Sequence, residues 1–592
     1  MKVTHSLNLK EIQREVDSPT FLLGDNNGSF TFLSNKPFSR YGGYHIRTEQ
    51  GVFKILEDVA LDGPEETEEI VNNVTSVQRL KGHNQETLYM PKGMGTLMCF
   101  LEKEADLNIV MDVKKPYDNR EKGRHYHIAV HDDHITITFE KRTSREEDDS
   151  DGRLEYKMHI VLYADHFDSQ VTDKWVEREY HHDKERNSTP WKRWVYEALR
   201  LRTSKVAIAA APGEREALTK ARQAYTTFKT RNDLSSMRES SLVLEQDELM
   251  LAYDHCKNSL SCLKDGSDIY AGLPWFFQHW ARDSAITAKG LWLSGQEEFS
   301  KKMLFELSSR ASYNGRIPNR IPATVTESAD ATGWTFHRLN ELDLEKKLTL
   351  REEKSFFDRL IHVIYLLRKF ETKDGLDVCG PQESWMDSIQ RQGALIELQA
   401  MRATMYSALA HFSKTKGQYL SEQTDLLKEV RKAFWNKGRI RDAAETEEIR
   451  PNIFMAYYLY PRLFPQNQWE QAFDHSLHHL WLSWGGFSTL DVDSETFHPD
   501  TTGEDAASYH NGDSWYFINN MAALAMHRLN PKKYKEQVEK IVEASTREVL
   551  WMGCVGHHAE ISSASGQKSQ GSPVQAWSAA LFIELMHELH KK

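Results

Sequence analysis

The sequence predicts an α+β protein of two domains, an N-terminal antiparallel β-sandwich followed by an (α/α)6 barrel. Apolar residues alternate with polar ones in many segments before residue 212, whereas from Glu214 onward they recur with the period of helices. The length of 592 residues also exceeds what one small domain requires. We therefore expect residues 1–212 to form the sandwich and residues 213–592 to form the barrel.

The strands of the first domain are predicted from period-two alternation between turns rich in Gly, Asn and Asp. The clearest segments are residues 29–33, 107–113, 134–140 and 156–164, and a short strand is expected at residues 205–211. Alternation of this kind is typical of antiparallel sheets with one wet face, and a sandwich is the simplest arrangement of such sheets.

The second domain is predicted to consist almost entirely of helices. After a first helix at residues 214–229, the apolar period indicates twelve segments, near residues 246–263, 281–293, 296–311, 329–340, 353–371, 393–414, 419–436, 450–459, 467–480, 512–529, 531–548 and 573–589. Twelve successive helices with loops of very unequal length favour two concentric rings, the (α/α)6 barrel. An irregular α-superhelix is the alternative. Functional residues are expected on the long loops.

Composition and charge narrow the class of protein. The net charge of −12 disfavours nucleic acid or an anionic membrane as the main partner. No run of 18 uninterrupted apolar residues is present, so no membrane span is expected. The N-terminal residues lack an apolar signal segment, which predicts a cytoplasmic protein. The sequence does not indicate an oligomeric state.

No cofactor and no metal ion are expected from the motifs. The five cysteines are scattered without a CxxC pair, which disfavours a thiolate zinc site and a disulfide framework. Gly93 and Gly95 lack the third glycine of a dinucleotide-binding loop. The histidines at 125, 127, 131 and 134 fit an exposed hairpin better than a metal site, and the acidic run at 145–151 fits a solvated loop.

The loop at residues 381–388 carries the first chemical signal. Glu383 and Asp387 flank Trp385, and a long helical pattern follows. An indole offers a flat face to a pyranose ring, and a carboxyl group can donate a proton to a glycosidic oxygen. The alternative is an ordinary helix cap or a solvated acid, as for most single loop carboxylates.

Five further loop regions combine aromatic, charged and amide residues. Arg282 and Asp283 stand beside Trp280, and adjacent Arg and Asp side chains can hydrogen-bond neighbouring hydroxyls. The regions are residues 272–284, 314–320 with 328–334, 450–452, 503–515, and 556–562 with 575–577.

Together these motifs resemble the amylo-α-1,6-glucosidase family, the C-terminal domain of glycogen debranching enzymes, whose relatives share the barrel of glucoamylases. The similar segments follow in the family's order over residues 270–580, and six in order are far more specific than one. They are Trp-Ala-Arg-Asp-Ser at 280–284, Gly-Arg-Ile-Pro-Asn at 315–319, Ser-Trp-Met-Asp at 384–387, Arg-Pro-Asn at 450–452, Tyr-His-Asn-Gly at 509–512 and Gln-Ala-Trp-Ser at 575–578.

The resemblance implies a role for each site residue. Asp387 corresponds to the general acid, Glu560 to the general base, and Arg282 with Asp283 to the pair that holds the terminal glucose. Further substrate contacts are expected from Trp280, Asp330, Trp385, Glu397 and His510. Glu504, Asp505 and Asp513 stay open as rival bases. An inverting reaction needs about 6.5–9.5 Å between acid and base.

The function expected from this set is hydrolysis of α-1,6 branch points in glycogen-type α-glucans, with inversion. A glucoamylase-like or trehalase-like exo-α-glucosidase on the same barrel is the alternative, because bond selectivity depends on subsite shape. A non-catalytic glycan-binding protein is the third possibility, which the paired carboxylates Asp387 and Glu560 disfavour.

Overall fold

The computed structural model describes residues 1–7, 10–63, 67–143, 155–230, 242, 244–321, 328–412 and 416–590. The chain divides into two compact units, Met1–Gly266 with Val549–His557, and Ser267–Glu548 with His558–Lys592. The acidic run predicted as a solvated loop at 145–151 lies outside the described residues. The expected domain limits of 1–212 and 213–592 remain a prediction.

The first unit is built on one branched sheet of fifteen strands with three helices beside it. The strands are β1 (Lys2–Leu7), β2 (Lys10–Glu15), β3 (Thr20–Gly24), β4 (Phe30–Ser34), β5 (Gly43–Thr48), β6 (Gly51–Leu61), β7 (Glu69–Asn72), β8 (Ser76–Lys81), β9 (Asn84–Tyr89), β10 (Thr96–Lys114), β11 (Arg124–Val130), β12 (His134–Lys141), β13 (Tyr156–Tyr163), β14 (Asp168–Glu179) and β15 (Lys192–Ala211). The helices are α1 (His181–Glu185), α2 (Glu214–Thr227) and α3 (Asp247–Cys262).

The branches of this sheet leave from its two long strands, β10 and β15. The main path runs β11-β12-β13-β15-β10-β9-β8-β7-β1-β2, and a second branch leaves β10 through β6, β5, β4 and β3. Bulges interrupt the β10–β15 and β10–β6 ladders, which lets long strands bend between layers. Phe53 of β6 and Tyr156 of β13 pack with ring centroids 5.1 Å apart, so both branches contribute to one core.

The predicted strands are present, but two of them belong to longer strands, and residues 107–113 are only the end of the nineteen-residue β10. Ile135, Ile137 and Phe139 of β12 are fully buried, as the alternation required. The short strand expected at 205–211 is only the end of the twenty-residue β15. The first part of β15 contains polar and charged residues, so the sequence pattern did not predict it as a strand. Strand β14 pairs with this part along one edge, and several β15 side chains there stay exposed.

Among the residues described after position 263, eleven α-helices follow α3, and with α3 they match the twelve predicted helical segments. They are α4 (Ala281–Leu293), α5 (Glu297–Ser308), α6 (Ala331–Leu344), α7 (Leu350–Phe370), α8 (Ile396–Phe412), α9 (Lys416–Phe434), α10 (Asn452–Leu459), α11 (Gln466–Leu480), α12 (Tyr516–Leu529), α13 (Lys535–Trp551) and α14 (Ala576–Leu589). A short 3₁₀ helix occupies Pro461–Leu463.

Six of these helices pack in a closed ring. Helix α4 packs against α6, and α8, α10, α12 and α14 continue the series until α14 packs back against α4. The ring helices are buried on nearly all faces, as α12 illustrates, where twelve residues are buried. Helix α7 instead buries one stripe, from Phe356 through Leu360 to Leu367, and Thr349 closes its start with a capping box.

Very short strands occupy the connections between the helices. They are β16 (Lys264–Asp265), β17 (Asp268–Ile269), β18 (Gly272–Leu273), β19 (His279–Trp280), β20 (Arg320–Ile321), β21 (Thr372–Lys373), β22 (Leu376–Asp377), β23 (Trp435–Asn436), β24 (Arg439–Ile440), β25 (Trp481–Leu482), β26 (Gly486–Phe487), β27 (Ser514–Trp515), β28 (Ile561–Ser562), β29 (Ser569–Gln570) and β30 (Val574–Gln575).

Three of these strands fix the starts of ring helices. Strands β19, β27 and β30 lead directly into α4, α12 and α14. Strand β18 pairs with β30, β19 with β20, and β28 joins β27 to β29. The loops before the ring helices are thereby tied to one another. No helix within the described residues is long and apolar enough to cross a membrane.

Candidate active site

The residues singled out from the sequence gather around the N-terminal ends of the ring helices. Arg282 and Asp283 open α4, and Asp330 is the N-cap residue of α6. Asp387 precedes α8, and Glu560 lies in the loop before α14. The positive end of a helix dipole favours carboxylates, so this end of the ring suits a cluster of acids.

Arg282 links two of the carboxylates. Its Nε donates to Asp330 Oδ1 at 2.8 Å, and one terminal nitrogen lies 3.5 Å from Asp387 Oδ2. Ser328 donates a further hydrogen bond to Asp330 Oδ1 at 2.7 Å. Arg282 and Asp330 are both buried, and their ion pair orients the guanidinium toward Asp387.

Asp387 combines access to solvent with a raised pKa. Its side chain keeps 39% of its surface open to solvent, although protein atoms enclose the carboxyl group on most sides. This enclosure raises the pKa of Asp387 above its ordinary value, Arg282 opposes the rise, and the charge of Asp330 adds to it. The group can therefore hold a proton at a pH where an exposed aspartate would not.

Glu560 is held by donors on both of its oxygens. Tyr509 donates to Oε1 at 2.6 Å, and the backbone N–H of Ser572 donates to Oε2 at 2.8 Å. Burial and the neighbouring Glu560 raise the pKa of Tyr509 well above its ordinary value, so the phenol keeps its proton. Hydrogen bonds of this kind stabilise an ionised carboxylate in a fixed orientation.

The pKa of Asp283 depends on burial and on the charged residues around it. Burial raises its pKa to about 8; the charge of Arg282 acts against this, while those of Glu560 and Asp387 add to it. Gln575 lies next to it, with Nε2 3.5 Å from Asp283 Oδ1. Asp387 and Glu560 therefore both lie close enough to Asp283 to act on its charge, which places all three acids in one site.

Trp385 and His510 are packed side by side beneath the Asp387 loop. Trp385 is only 1% exposed, donates to Asn452 Oδ1 at 2.7 Å, and meets His510 and Trp515 edge-on. The flat face expected to receive a pyranose ring is thus enclosed by protein. His510 is also buried, stacks on Trp515, and has its Nδ1 2.6 Å from Ser388 Oγ.

Glu397 is buried and paired with one cation, Arg391. Arg391 forms a two-pronged ion pair with Glu397 and a second ion pair with Asp442, and all three side chains are buried. Asp442 also accepts from Asn452, the residue that holds Trp385. Glu397 therefore belongs to a network that supports the Asp387 loop from below.

Several buried polar atoms around these residues have no hydrogen-bond partner within the described part of the chain. Asp330 Oδ2 and Asn319 Nδ2 belong to side chains that bond Arg282 with their other atom. Similar atoms are Gln575 Oε1, His510 Nε2 and the Nε1 of the half-buried Trp280. Buried polar groups are normally paired, so these solvent-inaccessible atoms are exceptions among the residues of the site.

The three rival bases occupy different positions. Both oxygens of the buried Asp513 accept hydrogen bonds, from Thr501 at 2.6 Å and Ser508 at 2.7 Å, and burial raises its pKa to about 6. Glu504 and Asp505 lie on the exposed part of the same loop. Asp513 thus fastens its own loop.

Three contributors escaped sequence reasoning. Tyr509 and Asn319 stood inside quoted motifs, but nothing in a motif tells which atom a phenol or an amide contacts. Ser572 acts through its backbone N–H, which leaves no trace in the amino-acid type.

The arrangement is suited to acid–base chemistry on a polyhydroxylated ligand. One carboxyl group, Asp387, is protonated more readily than usual, and another, Glu560, is oriented by two donors. Groups with such different environments can act as acid and base in one reaction.

Comparisons with known proteins identify the family and a similar fold. A family profile described as amylo-alpha-1,6-glucosidase matches residues 240–584. The fold resembles a bacterial glucoamylase complexed with acarbose, with a TM-score of 0.60 at 11% identity over 97% of this chain and 95% of that chain.

Two further structures align less well. One is described as a wild-type glycosidase, at 12% identity over 59% of this chain and 99% of that chain, TM-score 0.46. The other is a GH63 mannosylglycerate hydrolase from Thermus thermophilus in complex with Tris, at 13% identity over 56% and 99%, TM-score 0.44. No curated protein matches significantly. The profile match covers more than half of the chain, which is therefore a glycoside hydrolase of the amylo-α-1,6-glucosidase family.

Proposed function

We propose that the protein hydrolyses α-1,6-linked glucose at branch points of glycogen-type α-glucans, with inversion, using Asp387 as general acid and Glu560 as general base. The observation that carries the proposal is the contrast between the two carboxyl groups around Asp283, one with a raised pKa and one fixed by Tyr509 and Ser572.

The acid step follows from the surroundings of Asp387. A protonated carboxyl group can donate to the glycosidic oxygen as the bond to the anomeric carbon breaks. The nearby Arg282 then favours the carboxylate that this donation leaves behind, because opposite charges 3.5 Å apart attract. The same contact limits how far the pKa of Asp387 can rise.

The base step follows from the surroundings of Glu560. Each carboxylate oxygen has more than one lone pair, so Glu560 can hold a water molecule while it accepts from Tyr509 and Ser572. In an inverting reaction such a water attacks the face of the sugar opposite the leaving group.

We assign binding of the glucose unit to the residues at the start of α4. Arg282 and Asp283 would bond sugar hydroxyls, Asp330 would orient Arg282, and Trp280 supplies a half-buried indole. We assign positioning roles to the enclosed residues: Trp385 and His510 pack under the Asp387 loop, and Glu397 anchors Arg391 there.

We further propose that the closed ring of α4, α6, α8, α10, α12 and α14 is the inner ring of an (α/α)6 barrel, preceded by a β-sandwich domain. The packing order of the ring and the shared core of the two sheet branches support this architecture.

A glucoamylase-like exo-α-glucosidase is the second candidate, supported by the fold similarity to a bacterial glucoamylase. Both candidates use the same acid and base, so the substrate distinguishes them. A trehalase-like activity belongs to the same class.

The test is glucose release from a phosphorylase-trimmed branched dextrin, maltotriose and trehalose in parallel. We expect kcat/KM to be highest on the branched dextrin, and Asp387→Asn and Glu560→Gln to lose at least about a thousandfold in kcat. Glu504→Gln, an exposed acid of a neighbouring loop, is the matched control and should keep full activity. Preference for maltotriose or trehalose would transfer the assignment to the second candidate.

A further inference from the structure

A group of metal-ligating side chains lies outside the proposed catalytic site. His479, Asp491 and Asp493 each offer one ligand atom, and these atoms all lie within 4.8 Å of one another. His479 is in the last turn of α11, and the two aspartates follow β26. The negative end of a helix dipole favours a cation at this place.

The backbone holds the three residues in place. The N–H of Asp491 donates to the carbonyl of Ile449, and the N–H of Val492 donates to the carbonyl of His479, both at 3.1 Å. Asp491 Oδ1 accepts from the N–H of Asp493 at 3.1 Å, which turns Oδ2 toward the imidazole. The side chains are thus arranged by contacts that do not depend on any ion.

The contact between His479 and Asp491 carries the inference. Nδ1 of His479 lies 3.1 Å from Asp491 Oδ2, yet this buried nitrogen makes no hydrogen bond of acceptable geometry with the described residues. The imidazole nitrogen and the carboxylate oxygen thus lie close together without an aligned hydrogen bond, as two ligands of a shared cation would.

We propose that His479, Asp491 and Asp493 bind a divalent transition-metal ion, with Zn²⁺ preferred. One imidazole nitrogen and two carboxylate oxygens are ligand types that Zn²⁺ accepts, and a water molecule would complete a four-coordinate site. Two carboxylates also offset the charge of the ion. The chain between β26 and β27 carries these aspartates and also Tyr509, so the ion would brace the connection that orients Glu560.

The test is isothermal titration calorimetry, in which chelator-treated full-length protein is titrated with ZnCl₂ alone. We expect one equivalent to bind, with Kd weakened more than about tenfold in His479→Gln and in Asp491→Asn. His478→Gln is the matched control, because its imidazole is adjacent but exposed and outside the ligand group, and it should bind as the wild type does.

Thermal melts with and without Zn²⁺ give a second readout that needs no substrate. The ion should raise the Tm of the wild type and of His478→Gln, but not that of Asp493→Asn, whose exposed position makes misfolding a poor explanation. Absence of binding by the wild type, or equal binding by all ligand variants, would overturn the proposal. Neither result depends on the glycosidase assignment.

Discussion

Asp387 and Glu560 differ in what surrounds them, and this difference assigns their proposed roles. Asp387 is reached by solvent but enclosed by protein, beside a cation and a second acid. Glu560 is buried and accepts from Tyr509 and Ser572. A raised pKa suits a proton donor, whereas fixed donors suit an ionised base.

Tyr509→Phe tests the orientation of the base. Loss of the hydrogen bond to Glu560 should lower kcat about tenfold to a hundredfold with a small change in KM, since one bond to a charged group contributes about 1.5–3 kcal/mol. Tyr457→Phe makes the same change on α10 away from the site and should leave kcat intact. Steady-state kinetics on the branched dextrin decides, and an unchanged kcat in Tyr509→Phe would refute the role.

Asp283→Asn tests the buried acid through stability. The folded protein holds the Asp283 proton to about pH 8, whereas an unfolded chain releases it near pH 4. This contribution to stability is complete below pH 4 and is lost as the pH rises toward 8. The variant avoids the loss, so its unfolding free energy should exceed that of the wild type by about 2–5 kcal/mol at pH 8.

Urea unfolding of both proteins at pH 4 and pH 8 measures the effect of Asp283→Asn. The two should be nearly equally stable at the lower pH, and the variant should bind substrate more weakly. A difference independent of pH would mean that Asp283 is not buried as a neutral acid.

Sequence reasoning at the residue scale found which residues gather but not which face solvent. The motifs named Asp387, Glu560, Arg282, Asp283 and Asp330, and the structure brings these together. The sequence also predicts sugar contacts for the enclosed Trp385 and the ion-paired Glu397, because residue type does not reveal what covers a ring or pairs an acid.

At the scale of elements, the hairpin that carries Glu560 depends on a glycine. Gly571 has a positive φ of +65°, and a Cβ there would collide with Glu560 Oε2. Gly571→Ala should therefore displace the carboxylate and lower kcat by more than about tenfold, with stability reduced by about 1–2 kcal/mol.

Gly566→Ala is the matched control for the hairpin. A Cβ at Gly566 meets nothing within 4 Å, so this variant should retain activity. Kinetics with a melt of each variant separates the two effects. Equal activity of Gly571→Ala and the wild type would show that the hairpin adapts without moving the base.

Helices are predicted more reliably than strands for a physical reason. Most of the twelve helical segments repeat the helical period several times, whereas bulges interrupt the ladder between β10 and β15. The helical pattern also predicts residues 512–515 as part of a helix, but Ser514 and Trp515 form β27. The pairing of β27 with β28 is a long-range contact that local periodicity does not encode.

At the scale of the molecule, a buried charge network spans the ring of helices. Arg338 of α6 bonds Glu341 and Tyr458 at 2.6 Å and lies 3.4 Å from Glu584 of α14. Lys289 of α4 completes it, with its amine 3.2 Å from Glu584. The sequence did not predict this network, since its members are far apart along the chain.

Arg338→Met should remove one of the cations that neutralise the buried carboxylates of Glu341 and Glu584. We expect a loss of about 3–5 kcal/mol in the free energy of unfolding. Lys302→Met removes an exposed ion pair with Glu306 and should cost less than about 1 kcal/mol. Chemical denaturation of both compares them, and equal losses would argue that the network does not stabilise the ring.

The most direct test of the account is the anomeric form of the first glucose released from a branched dextrin, followed by ¹H NMR. The account predicts β-glucose, absent in Asp387→Asn and Glu560→Gln. Initial release of α-glucose would contradict inversion, and full activity in either variant would contradict the assignment of acid and base.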